Sequence, residues 1–444
     1  MAIGLLTACS SGNDIEVIPE EPTPEQPKPQ QPEQDPNENQ EDPENIVPED
    51  SFVVDMLPQT RAIQLTPEQL EYAQKNNDFT FNLYRAIHHA QEEKKSNITS
   101  PLSVTYVMGM LNDGADGKTE EEITNVLGFG DGNKMSINEY CQALIQQAPI
   151  ADPSVTVQVA DLVAANNDVV LEDRFVKDMH DYYEAEVASL DFSEPAALDY
   201  LNGWCNEKSG GMIPKILEKE ELDPDTKLAL MNAIYFKATW TEKFDEKDTK
   251  DETFTKADGT TVTLPMMSRK YAEILYGKND FFSSVCLPFG TGDRYRMFVL
   301  LPAEGKSVDD IINVLTNDFW RSMQWGTYVI DLKLPRFSTS SDIRLNDPIS
   351  QLGAPSMFDG GKADFSGISK NYKELYVSVM KQKAAIEVTE EGAKMSAVTI
   401  ALMEEGADGD AIARGTFHAN RPFVYLVQER DTRAIFFIGT FQGD

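Results

Sequence analysis

Residues Glu387 to Asp410 read EVTEEGAKMSAVTIALMEEGADGD, and the meaning of this stretch decides how the rest of the chain is understood. A strand-like segment ends at Thr389-Glu390-Glu391-Gly392, and a second run, Ala393 to Met403, follows at once. Every second residue from Ala393 is Ala, Met, Ala, Thr, Ala, Met, and the intervening set is Lys, Ser, Val, Ile, Leu. No proline interrupts the run, and no charge falls between Met395 and Met403. Side chains of a strand alternate between its two faces, so a segment of this kind could slide between two existing strands with little steric or desolvation penalty. Glu404 to Asp410 is acidic and glycine-containing and reads as exposed. On pattern alone, an ordinary edge strand followed by a loop accounts for the stretch as readily.

Outward from this stretch, the chain has helices early and long strands late. Thr66-Pro67-Glu68-Gln69 reads as a helix start, with apolar residues then recurring at Phe79, Leu83 and Ile87. Further helices are predicted over Ser103 to Leu111 and over Thr119 to Leu127, the latter capped by Thr119. Strand alternation appears at Thr156 to Ala164, Lys227 to Phe236, Val329 to Leu334 and Leu375 to Val388. Phe423 to Gln428 and Ala434 to Phe441 are apolar runs joined by a polar turn at Asp431-Thr432, which predicts a buried hairpin. Without βαβ alternation, the expected class is α+β with large antiparallel sheets.

Composition narrows the function. The 444 residues are 41% apolar, enough for a sizeable core, and carry a formal charge of -35. Nucleic acid and anionic lipid headgroups would both repel such a surface. Part of the charge is local: from Ser10 to Asp55 Lys28 is the only base, and Pro19, Pro22, Pro24, Pro27, Pro29, Pro32 and Pro36 alternate with acids and Gln. Residues 10–60 are therefore expected to be a disordered, self-repelling tether, with a globular domain over 61–444.

Four cysteines, Cys9, Cys141, Cys205 and Cys286, are too few and too scattered for a disulfide framework, and no CxxC pair exists. The last three are expected to be buried free thiols. Cys9 follows Leu6-Thr7-Ala8, which resembles a bacterial lipobox and implies lipidation of Cys9 and an outer-membrane, cell-surface location. Residues 1–9 are then the remnant of a signal, shorter than a full signal peptide, so the true start is expected upstream.

Enzyme motifs are missing. The histidines are His88, His89, His180 and His418, with no HExxH pair and no Gly-x-Ser-x-Gly elbow. Gly114-Ala115-Asp116-Gly117-Lys118-Thr119 has the wrong spacing for a phosphate loop and reads as a turn between helices. Asp408-Gly409-Asp410 lacks the other ligands of a calcium loop. No enzyme activity, metal or cofactor is expected.

Seven motifs in order give the chain its resemblance. Ser100-Pro101-Leu102-Ser103, Asn112 to Thr119 continuing to Phe129, Leu201-Asn202 to Trp204 with Ser209 to Pro214, and Asn232 to Trp240 are the first four. Ala363 to Ile368, the stretch Glu390-Glu391-Gly392-Ala393, and Asn420-Arg421-Pro422-Phe423 complete the set. Together they resemble the serpins, over about residues 61 to 444. The resemblance implies the serpin fold: a large antiparallel-rich central sheet, further sheets, about eight or nine helices and an exposed reactive loop, here about residues 390–415.

The resemblance also implies a mechanism and its residues. A serpin offers its loop as bait, and the cleaved loop inserts into the main sheet, dragging along the acylated protease. Glu390, Glu391, Gly392, Ala393, Met395 and Ala397 fall on the hinge, where Met395 departs from the small residue expected. Counting seventeen residues from Glu390 puts the reactive bond at Gly406-Ala407, with Glu405 as the alternative. Ser100, Ser103 and Asn232 map to the polar cluster where the sheet parts, with Trp240 at the top of the opening. Gln382 stands where the family usually has histidine, which puts pH switching at that residue in doubt. The implied partners are serine or cysteine proteases, elastase- or subtilisin-like or Glu-specific, met by a monomer that touches membrane only through its anchor. The alternative is a non-inhibitory serpin acting as a binding or chaperone-like module.

Overall fold

The N-terminal half is mostly helical, for reasons visible in its caps. In the computed structural model, which describes residues 59–91, 93–130, 132–393 and 414–444, helix α1 (Pro67–Ala90) opens on Thr66, whose side chain and that of Gln69 form a reciprocal capping box. After β1 (Asn97–Thr99) comes α2 (Pro101–Gly114), capped by the Ser100 hydroxyl and buried at every position except Val107. Its apolar character on all sides is what a helix beneath a sheet requires. Helix α3 (Gly117–Leu127) ends at Gly128, whose φ of 88° is the left-handed conformation that suits a C-cap glycine. Its N-cap is Asp116, not Thr119 as expected; Thr119 is buried and its hydroxyl accepts from Asp364 N at 3.0 Å. Helix α4 (Lys134–Ala151), strand β2 (Val155–Asn166), helix α5 (Asp173–Tyr183), strand β3 (Glu186–Leu190) and helix α6 (Pro195–Lys208) follow.

Strands dominate from there. They are β4 (Leu228–Thr239), β5 (Lys250–Thr255), β6 (Thr261–Lys278), β7 (Phe282–Phe289) and β8 (Tyr295–Pro302). After α7 (Val308–Val314) and α8 (Asn317–Arg321) come β9 (Trp325–Pro335), β10 (Phe337–Arg344) and α9 (Asn346–Leu352). The rest are β11 (Lys381–Val388), β12 (Gly392–Ala393), β13 (Arg414–His418), β14 (Phe423–Glu429) and β15 (Ile435–Phe441). Leu375 to Met380, read as the start of a strand, is irregular instead. Val377 N bonds to Met357 O, and the segment runs along the lower wall of a cavity rather than beside a strand.

Among the described residues the strands make three ladders. One has the order β1-β15-β14-β8-β7-β6-β9-β13 with β5 beside β6; the others are β10-β11 and β12-β4-β2-β3. The β14-β15 hairpin is buried at every position, as its uninterrupted apolar runs demand. Two of the quoted motifs dock on each other: Gly367 N donates to Gly114 O at 3.0 Å and Asp116 N to Asp364 O at 2.9 Å. Helices and largely antiparallel sheets thus form the α+β architecture expected, around one main apolar core. No helix among the described residues is long and apolar enough to cross a membrane.

Candidate functional site

The third and second ladders are two halves of one interrupted sheet. At the top, β12 pairs antiparallel with β4 (Gly392 with Thr239, Ala393 with Ala238), and a bridge joins Gly392 to Thr389 at the end of β11. Both neighbours of β12 are antiparallel to it, so β4 and β11 run parallel to each other with room for one strand between them. Below Ala238 no described strand fills that room. β4 is accordingly half-buried over most of its length, where a strand of a filled sheet would be covered. A cavity of about 310 Å³ opens between Lys227–Asn232 and Met380–Lys383, floored by Val104, Val107 and Leu111 of α2. A second, of about 40 Å³, continues upward along Asn232–Phe236 and Gln382–Ile386.

The head of the gap is a tight turn. Thr389 and Gly392 exchange backbone hydrogen bonds at 3.1 Å each, and Gly392 has φ 115°. A Cβ there would lie 2.5 Å from Trp240 N, so the position requires glycine on grounds of both dihedral and space. Trp240 holds the turn from the other side: its backbone N donates to Glu391 O at 3.0 Å and its indole Nε1 to Thr389 O at 2.9 Å. The ring itself stacks on Phe289, with centroids 4.5 Å apart.

Charge secures the same turn. Glu390 is buried, and its carboxylate accepts from Arg336 through Nη2 at 2.6 Å and Nε at 3.0 Å, and from Thr249 Oγ1 at 2.7 Å. Burial works to raise its pKa, but the Arg336 and Thr249 hydrogen bonds win and hold it below the usual carboxylate range. Glu391 reaches Lys243 at 2.6 Å. Arg336 and Thr249 were not found in the sequence, because nothing local marks a partner 54 or 141 residues away.

Midway down, Gln382 of β11 is clamped to the start of α2. Its Oε1 accepts from Ser100 N at 3.0 Å and from the Thr99 hydroxyl, and its Nε2 donates to Ser100 O at 2.8 Å. Ser100, Ser103, Asn232 and Gln382 all line the upper cavity. One network does not join them, however. Asn232 Nδ2 turns to Asp161 of β2 at 3.0 Å and to Ala160 O at 3.3 Å, away from Ser100 and Gln382. Asp161 is a site residue that sequence reading missed, its charge hidden in an apolar strand.

The lower end is bridged. Asn202 of α6 accepts from Ile216 N and Leu217 N at 2.8 and 3.0 Å, fixing the segment that follows the helix. That segment reaches β11: Glu221 takes Lys381 at 2.7 Å, and Lys215 O takes Lys383 at 2.8 Å. Met395, Ala397, Glu405, Gly406, Ala407 and Cys9 lie outside the described residues, and of Ala393 only the backbone is described. Cys141, Cys205 and Cys286 are buried free thiols, as expected.

Comparison with known proteins agrees with this architecture. The family model Serpin (serine protease inhibitor) matches residues 74–442. A serpin-like protein of Methanosarcina acetivorans is 28% identical over 85% of this chain and 87% of its own. Human glia-derived nexin is 31% identical over 77% of this chain and 86% of its own. Among solved structures, the thermophilic serpin tengpin in its native state superposes with a TM-score of 0.75 at 26% identity, covering 88% of this chain and 98% of tengpin. A split sheet with a glycine hinge at its head, matched by the family model over most of the length, leads to one assignment: the chain belongs to the serpin (serine protease inhibitor) family.

Proposed function

We propose that this chain is an irreversible, single-use inhibitor of serine or cysteine endopeptidases, which it traps by cleavage of the segment after Ala393 and insertion of that segment between β4 and β11. The register at the hinge carries the reading. Gly392 faces Thr239 and Ala393 faces Ala238, so continuing the ladder residue by residue brings Met403 opposite Leu228. Leu228 is the first residue of β4, and Met403 is the last uncharged residue before Glu404. The charge-free run and the empty strand edge therefore end together. On the other side, continuing from the Thr389–Gly392 bridge brings Thr399 opposite Gln382, while the β4 register brings it opposite Asn232. A small hydroxyl residue would arrive between the two polar side chains of the gap.

The energetics suffice. About ten new ladder hydrogen bonds at about 1 kcal/mol each amount to roughly 10 kcal/mol, comparable with the whole stability of a typical domain. Sixteen residues of travel at about 3.3 Å per residue move the captured enzyme about 50 Å. We place the scissile bond at Gly406-Ala407, which suits elastase- or subtilisin-like enzymes, or after Glu405 for a Glu-specific one. A lipid on Cys9 would hold the domain at the bacterial cell surface, with the acidic tether giving it reach.

Mixing the chain with elastase-, subtilisin-like and Glu-specific proteases tests the reading on a denaturing gel. A band that resists denaturation at the summed mass is expected with at least one of them. Clean cleavage near Gly406 with no such band, and no gain in heat resistance, would make the chain a non-inhibitory member.

A further inference from the structure

Asp161 sits directly opposite Asn232 in the β2–β4 ladder and is 1% exposed. Its Oδ1 accepts from Asn232 Nδ2, while Asp161 Oδ2 and Asn232 Oδ1 are both buried without a hydrogen-bond partner. The titratable groups around it are Tyr106 of α2, Cys141 of α4, Tyr183 of α5 and Glu184 at the end of α5. None of them is a cation. With Asp161 ionised, the pair has an uncompensated buried charge and two idle acceptors, an arrangement folded proteins avoid. One proton on Oδ2 removes the charge and adds the donor the pair lacks, in the manner of a carboxylic acid facing an amide.

We infer that Asp161 is a positioning residue that carries a proton: as the neutral acid it fixes the Asn232 amide at the edge of the gap, and losing the proton loosens the sheet toward insertion. Asn232 lines both cavities, so its side chain is where a change at Asp161 reaches the entering strand. This inference rests on the insertion reading above. Burial raises the Asp161 carboxyl, against the Asn232 hydrogen bond and with help from Glu184, to about 8. A folded pKa above the ordinary one means that, relative to a sheet opened so that Asp161 meets water, the closed sheet is favoured at low pH. That preference is lost as pH rises from the ordinary carboxylate range through about 8. The device differs from a histidine switch in sign: it arms with acid and relaxes with base.

The test follows spontaneous conversion of the full chain to the heat-resistant inserted form at pH 7 and pH 9, beside Asp161→Asn. Wild type is expected to convert about 10-fold faster at pH 9, and Asp161→Asn to change less than about 2-fold. An equal pH response in the two proteins overturns the inference. Should Asp161→Asn misfold, carboxyl-carbon NMR of aspartate-labelled wild type serves instead: one aspartate still protonated at pH 7 supports the assignment, and full ionisation overturns it. Protease trapping by wild type separates the two layers. A chain that traps no protease sinks the insertion reading and this inference with it. A chain that traps protease while its conversion ignores pH sinks this inference alone.

Discussion

At the head of the gap Glu390 accepts from Arg336 and Thr249, and Trp240 is tied through both its backbone and its indole N–H. Midway down, Asn232 Oδ1 and Asp161 Oδ2 are buried with no partner at all. The two places belong to the same opening and follow opposite rules. The head is held by specific, charge-assisted bonds, which fix the register from which any further pairing would continue. The middle lacks one donor unless Asp161 holds a proton, so its hold on Asn232 depends on that proton rather than on a permanent ion pair. The entrance is fixed by charge, and the interior by a neutral pair.

Each region can be broken separately. The largest effect is expected at the hinge: Ala393→Arg puts a charge into what the insertion proposal makes an internal strand, and should abolish the gel-stable protease complex while leaving cleavage intact. A surviving complex would remove Ala393 from the inserted set. Arg336→Ala should cost about 2 kcal/mol in urea unfolding, because it leaves the buried Glu390 carboxylate short of its main partner; the half-exposed arginine keeps the figure below that of a fully buried pair.

This loss carries a pH signature. Glu390 is held below its ordinary pKa, so its contribution is complete above the usual range, about 4.3, and vanishes as pH falls through the folded value. The gap in stability between wild type and Arg336→Ala should therefore narrow from pH 7 toward pH 3, and a constant gap would assign the effect to packing. In the middle region, Gln382→Ala removes the bonds to Thr99 and Ser100 and should cost about 1.5 kcal/mol in the same assay. The smallest change is expected from Glu221→Gln at the lower bridge: about 0.5 kcal/mol, seen as conversion to the inserted form about twofold faster.

Elements whose cause is local were legible in the sequence. The α1 start at Thr66 and the β14-β15 hairpin each carry their signal within a few residues. Thr119 misled because a threonine ahead of acids looks like a cap, yet Asp116 lies three residues earlier and took the role. Leu375 to Met380 misled because an irregular segment covering a cavity needs apolar residues as a strand does. At the site, the hinge sequence was readable and its anchors were not. Arg336, Thr249, Asp161 and Glu221 become partners only when segments far apart in sequence meet, and their residue types are common on any surface. Asp161 did leave one signal: it shares its parity with Val157, Val159 and Val163, so an acid there breaks the alternation of the strand and falls on the apolar face.

The three described thiols bear on where such a device can operate. Cys141, Cys205 and Cys286 are buried and free, with burial pushing the Cys205 thiol up to about 11 and Cys286 to about 12. Among the described residues no covalent crosslink ties β11 to the rest of the sheet, and thiols so reluctant to ionise do not readily form one. Among the described residues, reductants therefore find nothing to cut and oxidants little to join, so the gap between β4 and β11 is held by packing and hydrogen bonds whatever the redox state of the medium.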